Sequence, residues 1–233
     1  MRKNRLHKKY RSLRSLISQC KNKLFLLPTS IPSAHKCCVC SVECLEHRLY
    51  NFDYMTILRI LDYPDSRLKA IAPSVEDVHN PRIQTMIADM VDTLQNTEHC
   101  GGLAATQLDI QNPARIFVYY DFQEKAPQQA QTLMVVVNPV IVETVGEVVE
   151  EEGCMSVYSA PVKVARPKCT TIEALDPQGN PVRLTREGYL AKLYIHEIDH
   201  LNGILNIDHL KPFKRALIDE KIKKALKKRG RTQ

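Results

Sequence analysis

No stretch of this 233-residue chain approaches the roughly 18 consecutive apolar residues that span a bilayer, which argues against a membrane role. The apolar run Leu24-Phe25-Leu26-Leu27 is far shorter than that of a secretory signal. The chain shows no internal repeat. Without a secretion signal, the eight cysteines are not read as a disulfide framework. Any cysteine in a suitable context gains weight as a metal or catalytic residue.

The charge is unevenly placed. Residues 1–54 carry 11 Lys/Arg against 3 Asp/Glu, and residues 211–233 carry 10 against 2, which leaves 12 against 21 for residues 55–210. An acidic body therefore lies between two basic ends. The hydrophobic content of 44% is that of a globular chain long enough for one well-cored domain. Residues 1–54 lack sustained periodicity and have no acidic residue before Glu43. Two readings of this extension stay open. It is a basic organelle-targeting segment, for a mitochondrion or plastid, or translation starts at Met55 and the protein is cytoplasmic. Its spacing of Cys37, Cys40 and Cys44 lacks the second ligand pair of a zinc knuckle. At the other end, Phe213, Leu217, Ile222 and Leu226 among many lysines predict a basic, loosely amphipathic C-terminal helix.

Within the body, Asn80-Pro81 reads as a helix N-cap followed by proline at the first helical position. Ile83, Met86, Ile87, Met90, Val91 and Leu94 follow at offsets 0, 3, 4, 7, 8 and 11, one apolar stripe ending near Asn96. Strands are predicted over 116–120, 133–137, 140–144, 147–149, 162–165 and 170–175, with Asn138-Pro139 as a stop and Asp176–Asn180 as a turn. A helix over about 186–202 ends at Gly203, a candidate αL cap. Strand clusters between helices, without regular βαβ alternation, argue an α+β fold.

The segment His196-Glu197-Ile198-Asp199-His200 carries the strongest chemical signal. Residues four apart on a helix share a face, so His196 and His200 can hold one ion. Glu197 projects about 100° away around the axis, where its carboxylate reaches water beside the ion as a general acid/base. Such a site needs a third protein ligand. His209 is one candidate downstream. Cys154, in Glu151-Glu152-Gly153-Cys154-Met155-Ser156, is the better one, because a thiolate is a strong ligand for soft metals. Gly101-Gly102-Leu103-Ala104-Ala105-Thr106-Gln107 leaves room beside the backbone and then offers an amide donor, Gln107, for a developing oxyanion.

In this order the three segments resemble the signature motifs of the peptide deformylase family, over residues of about 56–210. The resemblance extends to Ile60–Asp65 and to Leu201-Asn202-Gly203. It implies small antiparallel or mixed sheets packed around a central metal-binding helix that carries HEIDH. It implies one divalent ion, ferrous iron with zinc or nickel as alternatives, on Cys154, His196 and His200. Glu197 would relay the proton, Gln107 and the backbone N–H of Met155 would bind the formyl oxyanion, and Gly102 would align the peptide. The substrates are N-formylmethionyl nascent peptides, and a basic C-terminal helix can dock on ribosomal RNA. Asp199 is read as a supporting carboxylate.

The chain departs from the family pattern around the expected methionine pocket. Cys100 stands where glycine is usual, Gly101 where a bulky aliphatic is usual, Ile195 where Gln is common and Pro161 where Arg is common. Tyr189 and Lys192, seven and four residues before His196, replace aliphatic residues on the ligand face of the helix. Losing the aliphatic at Gly101 is expected to remove one wall of the pocket. Two rival readings follow: a metallopeptidase using the same helix motif, and a weak or non-catalytic deformylase-like protein.

Overall fold

The computed structural model describes residues 56–121 and 131–229. The extension of residues 1–54, with Cys37, Cys40 and Cys44, lies outside the described residues, as does Met55. Asn80 opens α1 (Pro81–Gln95) as its sequence requires: its side-chain oxygen accepts the Arg82 N–H at 3.0 Å. Proline sits at the first helical position, where no N–H is needed. Ile83, Met86, Ile87, Met90 and Leu94 form the buried stripe.

Among the described residues seven strands make two sheets: β1 (Gly102–Ala104), β2 (Ile116–Asp121), β3 (Thr132–Val145), β4 (Val148–Cys154), β5 (Val157–Arg166), β6 (Cys169–Leu175) and β7 (Pro181–Glu187). Five are ordered β1-β2-β3-β6-β7, and β4 pairs with β5 alone. Every one of these pairings is antiparallel. Alternation along β2 divides the core in two. Ile116 and Val118 pack with α1 on one face; Phe117 and Tyr119 pack with α2 (Gly188–Leu201) on the other. The Asn138-Pro139 pair does not stop a strand. It makes a bulge inside β3, where the register shifts between Val137 and Val140. Asn138 tolerates its φ of 53° there, and its amide clamps Val75 through two bonds of 2.8 Å.

α2 runs through the middle of the domain, and nine of its residues are buried. Gly203 ends it with φ +72°, and a Cβ there would lie 2.5 Å from the Lys69 carbonyl oxygen. Only glycine fits both demands. α3 (Pro212–Arg229) lays Ile222, flanked by Ile218 and Leu226, against β5 to close a third core. Phe213 and Leu217 do not join that stripe and stay 77% and 58% exposed. The four apolar residues picked out in the sequence therefore serve two different faces of α3.

Candidate metal centre

The β4–β5 hairpin turns through Met155 and Ser156 and holds Cys154 against α2. The Cys154 Sγ lies 3.2 Å from His200 Nε2, which lies 3.1 Å from His196 Nε2. All three ligand atoms fall within 4.8 Å of one another. Glu152 Oε1 meets His196 Nδ1 at 2.7 Å, which fixes that tautomer and leaves Nε2 its lone pair. One thiolate and two imidazoles converging in a buried site suit a divalent transition-metal ion. The donor set thus fits the ion that the sequence motif implies.

A buried scaffold holds this cluster. The Arg166 guanidinium, 4% exposed, donates to Glu152 at 2.7 and 2.9 Å and to Asp199 at 2.7 Å. The His209 Nε2 lies 2.8 Å from Asp199, so this histidine belongs to the scaffold and stands apart from the three ligands. Burial alone would raise the Glu152 carboxyl, but its bonds to His196 and Arg166 outweigh that and hold it at about 2. Burial likewise favours a neutral His196, yet Cys154 and Glu152 at its two nitrogens hold it above its ordinary value. Burial and the neighbouring His196 push His200 down. A cation bound by the two imidazoles would hold both rings neutral, because a ligating nitrogen gives up its proton.

Glu197 is 2% exposed and lines the cleft beside the cluster. Burial pushes its carboxyl up to about 7, partly opposed by His196, and a bound cation would draw it back down. Among the described residues its Oε2 has no hydrogen-bond partner. A Cβ on Gly102 would lie 2.9 Å from Glu197 Oε1 and 3.2 Å from the Val118 carbonyl oxygen. Gly102 thus makes the space in which the carboxylate rests. Gly102→Ala should displace that carboxylate and lower kcat by about 10- to 100-fold at unchanged ion content, since small misplacements are that costly. Wild-type kcat in this variant would refute the role given to the missing side chain.

Gln107 is buried in the 3₁₀ turn Ala105–Gln107. The Ala104 N–H donates to its Oε1 at 2.9 Å, which turns Nε2 toward Ser156 Oγ at 3.3 Å and Cys154 Sγ at 3.8 Å. Met155, 36% exposed, lies at the hairpin tip on the cleft rim. The cleft measures about 390 Å³ and also receives Gly101, Tyr189 and Lys192. The wall expected to be missing at Gly101 is filled from α2. A Cβ on Gly101 would lie 2.3 Å from the Tyr189 hydroxyl. Lys192 pairs with Glu150 of β4. Cys100 keeps an ordinary negative φ, and the left-handed conformation falls on His99 instead, at φ 58°. Burial, then the neighbouring Glu197 charge, pushes the Cys100 thiol up to about 12, so it stays protonated.

Residues 57–216 match the family model of polypeptide deformylases. The chain belongs to the peptide deformylase family. It is 43% identical over 176 residues to peptide deformylase 1 of Coxiella burnetii, covering 75% of this chain and 99% of that one. The crystal structure of a peptide deformylase from Legionella pneumophila superposes with a TM-score of 0.66 at 40% identity, covering 76% of this chain and 99% of the other. The Ehrlichia chaffeensis peptide deformylase in complex with actinonin gives 0.65 at 33% identity, over 73% and 98%. The α+β fold and the family named by the motifs both stand.

Part of this site, Glu152 and Arg166 among it, is not legible in the sequence motifs. Glu152 stands two residues before Cys154 on a strand, a spacing that faces both the same way and was the available signal. Arg166 closes a strand and looks locally like a solvated charge. Ser156, fully buried against Gln107, carried no signal at all.

Proposed function

We propose that this chain removes the N-formyl group from the N-terminal methionine of newly made polypeptides. The observation that carries this is a buried Glu197 lining the cleft beside the convergent Cys154, His196 and His200. A divalent ion held by those three residues supplies Lewis acidity toward water and the formyl carbonyl. Ferrous iron is the ion we assign, and zinc and nickel suit the same donors.

Glu197 takes a proton from the attacking water and passes it to the departing amine nitrogen. The new C–O bond forms first and the formyl C–N bond then breaks, giving formate and a free N-terminal methionine. Gln107 Nε2 and the Met155 backbone N–H donate to the oxyanion that develops between these events. The backbone at Gly102 aligns the peptide. Arg166 and Glu152 keep His196 in its ligating orientation.

No helix among the described residues is long and apolar enough to cross a membrane. We assign the protein to the cytoplasm, where formylated chains emerge, on the strength of its bacterial relatives. The outer face of α3 is the surface we assign to ribosome docking. Removing α3 would be a poor test, because Ile222 belongs to the core. Exchanging the exposed Lys214, Lys221 and Lys224 for Glu keeps that packing. It should lower salt-sensitive cosedimentation with ribosomes by about tenfold or more. Equal cosedimentation of both proteins would rule the docking face out.

The activity is tested by formate release from a formyl-Met peptide, with a casein digest alongside. Formate without casein cleavage is expected. Casein cleavage without formate would replace the deformylase with a metallopeptidase.

A further inference from the structure

One wall of the cleft is polar. Tyr189 brings its hydroxyl over Gly101 from the start of α2. One turn on, Lys192 reaches from α2 to Glu150 on β4, so an ion pair joins the two sides of the cleft. The Lys192 side chain is 20% exposed, less than its partner Glu150 at 51%. Leu193 supplies apolar surface beside them. An ammonium has three N–H donors, and Glu150 engages one. A hydrocarbon pocket would reject a polar group, because it would be buried without a partner. This pocket offers donors at a point where such a pocket has none.

We infer that this cleft accepts N-formyl peptides beginning with methionine sulfoxide as well as methionine. The sulfoxide keeps the length of the methionine side chain and adds one strong acceptor oxygen. Lys192 donates to that oxygen, and Leu193 packs on the methylenes. Hydrolysis is otherwise unchanged: water adds, the formyl C–N bond breaks, formate leaves, and the sulfoxide is neither reduced nor oxidised. Gly101 and Tyr189 act as a matched pair, since any side chain at 101 would drive the hydroxyl from its place.

This inference rests on the deformylase reading, and one experiment separates the two. The metal-loaded full chain is assayed on formyl-Met-Ala-Ser and on the same peptide with methionine sulfoxide. Wild-type kcat/KM values should lie within about tenfold of each other, because the added oxygen is partnered. The double variant Lys192→Leu/Glu150→Leu removes both charges together and so leaves neither unpaired. It should widen the ratio by about tenfold or more, the cost of burying the oxygen without a donor. Binding of the two peptides to Glu197→Ala, measured by calorimetry without turnover, should show the same small ratio as the wild type. Wild-type discrimination of about a hundredfold or more overturns the inference, whatever the double variant does. An unchanged ratio in a folded double variant overturns it too. Absence of formate from formyl-Met-Ala-Ser would instead overturn the deformylase reading itself.

Discussion

Exchanging Glu197 for alanine is expected to lower kcat by about 10²- to 10⁴-fold, the usual contribution of a general acid/base. Ion content should not change, because the three ligand atoms belong to Cys154, His196 and His200. Glu197 is buried, its carboxyl stands near 7, and one oxygen has no protein partner among the described residues. Such a group costs stability where it sits. The variant should therefore unfold at the same temperature as the wild type or a higher one. That combination separates a lost proton relay from a damaged fold. A kcat within tenfold of wild type would remove Glu197 from the mechanism.

Exchanging Arg166 for methionine should have the largest effect on stability. Its guanidinium satisfies Glu152 and Asp199 while only 4% exposed. Removing it leaves two carboxylates in a buried site with their main cation gone. Breaking a buried network from one side costs about 3–5 kcal/mol. For a domain of this size that lowers the Tm by roughly 10 °C. The His196 imidazole loses its braced partner as well, so affinity for the ion should fall by about 10- to 100-fold. Thermal unfolding of the metal-free protein measures the first effect without linkage from the ion. A chelator competition measures the second. A Tm shift under about 2 °C together with unchanged chelator competition would contradict the scaffold role, since buried-pair losses are several times larger.

Local signals carried much of this molecule. The Asn80-Pro81 start, the α1 stripe and the Gly203 cap each depend on residues within a turn or two of one another, and each is found as read. HEIDH works in the same way, because helical spacing alone brings its two histidines together. What the sequence hid depends on partners far along the chain. Asn138-Pro139 looks like a strand end, yet Val75 holds Asn138 in a bulge and β3 continues along β6. The glycine-rich β1 and the charged β7 have little strand character of their own. They form because neighbouring strands supply their ladders. Arg166 reads as a surface charge until Glu152 and Asp199 close over it. Gly101 reads as a gap until Tyr189 arrives from another element. α3 misleads in the opposite sense: its apolar residues suggest one face, and only Ile218, Ile222 and Leu226 meet the core.

The central claim is that Cys154, His196 and His200 hold a catalytic ion beside Glu197. Anaerobic purification with metal analysis, followed by formate release from a formyl-Met peptide, tests it most directly. The account predicts about one equivalent of a divalent transition metal per chain, formate release, and loss of both in Cys154→Ala, because a site left with two ligands binds poorly. A chain that carries its full equivalent of metal and releases no formate would contradict the account. So would a Cys154→Ala variant that keeps both.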